Sequence, residues 1–168
     1  MTAADLPAVK ALADLIHPAF PEDEAVFANR LALHGAGCRA LELNDTICGY
    51  VLSHPWHDGQ PPALNEVLPR DAAPATTFYI HDLALAPAAR KSGAAAAVVA
   101  MLAAHAAELK LPNMTLVAVN NSVHFWQRLG FRIVIDPALA DTLRSYDDDA
   151  AFMSRNLPRK ENRDETHD

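Results

Sequence analysis

With 168 residues, 51% of them hydrophobic and 21% charged, the chain has the composition of a folded globular protein. Its length points to one domain over residues 1–157, large enough for a continuous core, with a charged tail at 158–168. A formal net charge of −7 argues against a nucleic-acid partner, and no apolar run reaches the roughly 20 residues of a membrane span.

The first residues lack the basic-then-apolar pattern of a secretion signal, which points to the cytoplasm. In that compartment Cys38 and Cys48, on neighbouring predicted strands, are expected as reduced packing residues. Thr2 and Asp5 offer caps for a first helix, with Pro7 just inside it and Leu6, Val9, Leu12, Leu15 and Ile16 as its apolar stripe. Pro18 and Pro21 end that helix. A second helix is predicted over 22–34, with acidic residues in its first turn and Val26, Phe27, Leu31 and Leu33 as burial candidates. Gly35 and Gly37 stop it. Residues 38–43 and 46–53 read as strands joined at Asn44-Asp45 in a hairpin. From 54 to 75 the chain reads as a loop, with five prolines and one short apolar stretch at 64–68. A loop so long in a compact domain is usually functional or mobile, and this one is expected either to shape substrate choice or to be plain surface decoration.

Residues 77–85 are rich in aromatic and branched side chains and read as a strand. After a small-residue turn, 93–109 is an alanine-rich helix with Val98, Met101, Leu102, His105 and Leu109 near helical spacing. Pro112-Asn113 breaks the chain, and 114–119 is an apolar run suited to a buried strand. The unit is β–loop–α–β, so its two strands should be parallel. A short helix is expected over 121–129, capped by Asn120 or Asn121 and ended by Gly130. A strand at 131–135, a helical turn over 138–144 and a last antiparallel strand at 150–157 complete the predicted elements.

The turn entering the alanine-rich helix has a use if the ligand is anionic. A helix start leaves N–H groups unpaired at the positive end of the dipole, which suits a phosphate. Gly93, Ser92, Ala94 and Ala95 are small enough for a diphosphate to approach the backbone, and Arg90 and Lys91 add positive charge. The turn alone fits an anion site or an ordinary β–α connection with a solvated Arg-Lys pair. The string Arg90-Lys91-Ser92-Gly93-Ala94-Ala95 is neither a Walker loop nor a dinucleotide fingerprint. It fits an Arg/Gln-x-x-Gly-x-Gly/Ala pattern. Downstream, Asn121-Ser122-Val123-His124-Phe125-Trp126-Gln127-Arg128-Leu129-Gly130-Phe131 is similar to Asn-x-x-Ala-x-x-Phe-Tyr-x-x-x-Gly-Phe.

Together, in this order and at this distance, the two strings resemble the GNAT superfamily of N-acetyltransferases. The resemblance implies an α/β (α+β, three-layer) fold, with a mixed, mostly antiparallel sheet around a central parallel β-α-β unit that binds acyl-CoA. Family members usually open with a strand carrying an Arg-Pro-Ala-like lead. This chain starts almost at the helix, so that strand is expected to be missing or reduced to a stub. The resemblance implies acetyl-CoA as co-substrate and no metal. Backbone of Leu83, Ala84 and Leu85 would bond the pantetheine, with a backbone N–H near Leu83 facing the thioester oxygen. Arg90, Lys91, Ser92, Gly93, Ala94 and Ala95 would hold the pyrophosphate, and Asn121, Phe125 and Trp126 would complete the cofactor site.

Acyl transfer from a thioester to an amine needs a neutral amine held beside the carbonyl, a donor for the carbonyl oxygen and an exit for the ammonium proton. Family members often carry the base just before the Leu-x-Val-like stretch, which here means His81 or Asp82. A histidine titrating near 6.5 can take a proton near neutrality, and Asp82 can act through water or orient His81. Neighbouring strand residues face opposite sides unless a bulge intervenes, so one of the two should face the acceptor. A histidine satisfied within the sheet is the alternative. The usual tyrosine acid is replaced by Trp126, whose indole N–H cannot shuttle a proton. Ser122, His124, Tyr79, Tyr146 or solvent would have to serve.

His54-x-x-His57-Asp58 has ligand-type residues but no second cluster answers it. His17, His34 and His105 are single histidines in helical segments. Asp147-Asp148-Asp149 reads as a solvated turn or as a contact for a cationic acceptor. The expected activity is transfer of an acetyl group from acetyl-CoA to a small-molecule amine. A protein amine is an equal candidate for the acceptor, and a non-catalytic acyl-CoA-binding regulatory domain is the rival from another class. The resemblance also allows a homodimer.

Overall fold

The structure, a computed structural model, describes residues 1–70 and 73–158; all but the first residue of the predicted tail at 158–168 lies outside the described residues. The Asp5 carboxylate accepts the Thr2 N–H at 2.6 Å and closes the turn that opens α1 (Leu6–Ile16). Leu6, Val9, Leu12 and Ala13 are its buried face, while Leu15, expected in the stripe, points to solvent. The second helix, α2, is shorter than expected (Glu24–Leu33) and buries Val26, Phe27 and Arg30. It leaves Glu22 in the connection before it.

β1 (Arg39–Leu43) and β2 (Thr46–Trp56) form the expected hairpin, with Asn44 and Asp45 both at positive φ as a two-residue type I′ turn requires. β2 outruns its predicted end by three residues and passes through Pro55. That is possible because β1 pairs with β2 only as far as Val51. Beyond it β2 has a partner on one side alone, where a missing N–H is tolerated. The chain from α2 reaches β1 by crossing this bare edge at Gly37. A Cβ on Gly37 would lie 2.3 Å from the Ser53 carbonyl oxygen, so no other residue fits the crossing unchanged.

β3 (Thr77–Leu85) pairs antiparallel with β2, and β4 (Asn113–Ala118) lies parallel to β3. α3 (Ala94–Glu108) connects them. α4 covers Val123–Arg128 only; Asn120 and Asn121, expected as caps, sit in left-handed conformations in the turn before it. β5 is cut to Arg132–Ile133, against the predicted 131–135. α5 (Ala140–Tyr146) follows, and β6 (Ala151–Asn156) is antiparallel to both β4 and β5. The six-stranded sheet has the order β1-β2-β3-β4-β6-β5, so its one parallel pair is central.

Alternation along β2 splits the core in two. Tyr50 and Leu52 pack with α1 and α2 on one face, while Val51 joins Phe78, Ile80, Leu116 and the apolar side of α3 and α4 on the other. Cys38 and Cys48 are buried and free. Two irregularities in the centre create the site. The pairing of β3 with β4 stops at Ile80 and Leu116, after which β3 stays with β2 and β4 with β6. The parallel strands therefore splay. At the same level the register of β2 against β3 skips His81, a bulge between Ile80 and Asp82.

Candidate active site

The cleft on the α3 side of the splay has a volume of about 560 Å³. Leu83, Ala84 and Leu85 of β3, Arg90, Lys91, Gly93, Ala94 and Ala95 of the turn, and Phe125 of α4 all line it. Gly93 is at φ +83 with open space around its missing Cβ, so it is needed for its backbone conformation and not to avoid a clash. No side chain caps α3 at Gly93. The Ser92 hydroxyl turns inward, donating to the Ala89 carbonyl at 2.6 Å and accepting the Ala94 N–H at 3.3 Å; Ser92 is not a lining residue. Asn121 is exposed and also stands outside the cleft.

The cleft continues into a slot of about 120 Å³ between the splayed strands, bounded by Leu83, Val117, Asn120, Ser122, Phe125 and Trp126. Trp126 is buried with its ring edge-on to Phe125 and Phe131. His17, His81 and Asp82 line this slot and also a smaller pocket of about 50 Å³ on the α1–α2 face, with Phe20, Glu22, Leu64 and Tyr146. The bulge is what lets both His81 and Asp82 face the gap, where plain alternation would have sent one away.

The two residues have separate partners. His81 Nε2–H donates to Glu22 Oε1 at 2.8 Å, and the other Glu22 oxygen accepts the Asn65 N–H at 2.9 Å. A carboxylate only accepts, so Nε2 carries the proton and Nδ1 presents a lone pair; that Nδ1 is buried and unpartnered. Asp82 is held by the Tyr50 hydroxyl, which donates to Oδ2, and by His17 Nε2 at 3.1 Å from Oδ1. Burial disfavours the Asp82 carboxylate, yet the contacts from His17 and Tyr50 outweigh it and hold its pKa below the usual range. The same contact works back on His17. Burial opposes its cation, but Asp82 leaves its pKa above the ordinary 6.5. So Asp82 does not orient His81; Glu22 does.

Within the segment 54–75, expected to shape substrate choice, Leu64 lines this pocket and the stretch around it is tied down. Asn65 Oδ1 accepts the Asp23 N–H at 2.7 Å, and Asn29 bonds both backbone groups of Leu68, at 2.9 and 3.0 Å. The Tyr146 hydroxyl donates to the Pro62 carbonyl at 2.6 Å, joining α5 to the same stretch. Glu22, His17, Tyr50 and Tyr146 come from four segments, and only Tyr146 was a sequence candidate. Glu22 was masked as a helix-start acid and His17 as a lone helical histidine. The weak signal for both was their place on either side of the Pro18/Pro21 break, a turn that had to cross the end of the sheet.

His124 is exposed and bonded to Gln127. The Asp58 carboxylate accepts the Asn113 side-chain N–H at 2.8 Å, and among the described residues no three His, Cys, Asp or Glu side chains gather as metal ligands. The Asp147-Asp148-Asp149 turn lines neither the slot nor the smaller pocket. Among the described residues no helix is long and apolar enough to cross a membrane.

A family model described as the Acetyltransferase (GNAT) family matches residues 8–131, which include most of α1, the splayed pair and α4. The chain belongs to the GNAT acetyltransferase family. No curated protein matches it. Among solved structures, the GNAT-like decarboxylase GphF in complex with isobutyryl-CoA superposes with a TM-score of 0.75 at 16% identity, covering 94% of this chain and 97% of that one. Naa20 of Chaetomium thermophilum, bound to a bisubstrate analogue, gives 0.70 at 20% identity over 98% and 88%. The ribosomal-protein-S18-alanine N-acetyltransferase of Escherichia coli gives 0.63 at 17% over 96% and 94%. At these identities the likeness is one of fold. As a GNAT protein the chain is an acyl-CoA acyltransferase by family, with a co-substrate of the acetyl-CoA type.

Proposed function

We propose that this GNAT protein transfers an acetyl group from acetyl-CoA to the primary amine of a small molecule. The observation that carries the choice of acceptor is the small pocket of about 50 Å³ beyond the slot, lined by Phe20, Leu64 and Tyr146, where Tyr146 ties α5 to the Pro62 carbonyl. Its size suits a narrow aminoalkyl arm better than a polypeptide chain.

Acetyl-CoA would lie with its diphosphate on the Gly93 turn and its pantetheine along Leu83–Leu85, which brings the thioester into the slot. The amine approaches from the α1–α2 face. Its nitrogen attacks the thioester carbon, and its proton passes to the Nδ1 lone pair of His81, which Glu22 fixes in the required tautomer. A backbone N–H near Leu83 faces the carbonyl oxygen where charge develops. Glu22 and Asp82 give the pocket negative charge, which draws an ammonium toward it before it loses its proton.

The test is thiol release from acetyl-CoA against two panels, small primary amines and short peptides with free N-termini. Turnover with a small amine, lost by roughly 10²-fold or more in His81→Ala, supports the proposal. Turnover confined to peptides would overturn the acceptor assignment, and full activity in His81→Ala would overturn the base.

A further inference from the structure

A departing thiolate calls for a proton donor, and of the side chains expected in that role only Ser122 lines the slot, with a hydroxyl that is a weak acid at neutral pH. Trp126 has no proton it can give at neutral pH. His124 faces solvent. The Tyr146 hydroxyl is committed to Pro62, and Tyr79 is 1% exposed; burial holds both phenols well above their ordinary range. Besides His81 and Asp82, one titratable side chain lines both the slot and the acceptor pocket, and it is His17 at the end of α1.

We propose that His17 is the general acid, giving its Nε2 proton to the CoA sulfur as the thioester C–S bond breaks. The proposal rests on the acetyl-transfer reading above. Nε2 lies 3.1 Å from Asp82 Oδ1, so the carboxylate favours the protonated ring. His17 also lies against the Leu83 backbone, the stretch along which the pantetheine would run. On its other side Nδ1 is 3.2 Å from the Asn120 amide. That partner serves both protonation states: an amide N–H can donate to the neutral ring, and the amide turned over can accept from the cation.

The titratable groups around His17 are His81 and Asp82 on β3, Glu22 ahead of α2 and Tyr146 on α5, with Tyr50 on β2 acting through Asp82. Two carboxylates against one further histidine favour the cation, in keeping with the raised pKa of His17. The protons balance. The amine forms the new C–N bond and loses one proton to His81; the thiolate leaves with the C–S electron pair and takes one proton from His17. Solvent then returns His81 and His17 to their starting states.

The experiment reads the sulfur directly and needs no acceptor. Free CoA is added to the wild-type protein and to His17→Gln, binding is measured by calorimetry, and thiolate formation is followed by ultraviolet absorbance across pH. Bound CoA should ionise at lower pH than free CoA in the wild type, with about tenfold more thiolate at a given pH below the free thiol's pKa. In His17→Gln the curve should return to that of free CoA while binding persists, an effect that a merely structural histidine would not produce. Identical curves in the two CoA-bound proteins would overturn the assignment of His17 and leave the acetyl-transfer reading standing. Absence of CoA binding to the folded wild type would overturn both.

Discussion

His54 carries a pH-dependent weakness that can be measured without any substrate. Its Nδ1–H donates to the Pro55 carbonyl at 3.0 Å, and its Nε2 is buried without a partner. Burial, with smaller contributions from Arg30, His81 and His34, pushes its pKa from 6.5 down to about 3. Between those values the unfolded chain binds a proton that the native protein refuses, so stability falls as pH falls. At pH 5 the unfolded ring is 1.5 pH units below its pKa, which at about 1.4 kcal/mol per unit is a loss of about 2 kcal/mol relative to pH 7.5. Any native value below about 4 gives nearly the same figure, because at pH 5 the native ring is then still neutral. In His54→Asn the amide N–H can replace Nδ1–H toward Pro55 and nothing titrates. That variant should be less stable at both pH values, from the lost ring volume, by a constant of about 1–3 kcal/mol. Its loss between pH 7.5 and pH 5 should be about 2 kcal/mol smaller than the wild type's. Urea unfolding of both proteins at the two pH values measures the difference; His34 and His17 are common to both and cancel. Parallel losses would refute the reasoning.

Three other outcomes are expected. Gly93→Asp places a carboxylate at the α3 start and forces a side chain into positive φ, so CoA affinity by calorimetry should fall by about 10²-fold while the strain costs only about 1 kcal/mol of stability; unchanged affinity would remove the turn from the cofactor site. Glu22→Gln keeps an acceptor for His81 but removes the charge, so kcat should drop by about tenfold or more, short of the His81→Ala loss, with KM for acetyl-CoA unchanged; a rise in that KM instead would place Glu22 on the donor side. Gly37→Ala puts a methyl 2.3 Å from the Ser53 carbonyl oxygen, where the clash is with backbone, and should cost about 3 kcal/mol or more, seen as a lower Tm; a wild-type Tm would mean the crossing can shift.

The donor half of the site was legible because it is contiguous. From Leu83 to Ala95 one strand end, one turn and one helix start carry most of the lining of the cleft proposed for the donor, so residue order is spatial order. The parallel pair followed from the same unit. The acceptor half is assembled from Glu22, His17, Tyr50, His81 and Tyr146, whose proximity depends on how α1, α2 and α5 pack on one face of the sheet. Nothing in local pattern reports that. The bulge at His81 is equally silent, since an alternating strand and a bulged one read alike until the partner's register is known. Pro55 misled for a related reason: it looks like a strand breaker until β1 is seen to stop short of it.

The gap between the splayed strands opens on both faces of the sheet, toward α3 and α4 on one side and toward α1, α2 and α5 on the other. On the proposed reading, donor and acceptor would have separate doorways to one meeting point. A seated acyl-CoA leaves the amine's doorway free, and a seated amine leaves the donor's free, so neither order of arrival is blocked. Initial-rate lines at varied concentrations of both substrates should intersect, as for a ternary complex, and not run parallel as for a covalent acetyl-enzyme. Free CoA should compete with acetyl-CoA alone.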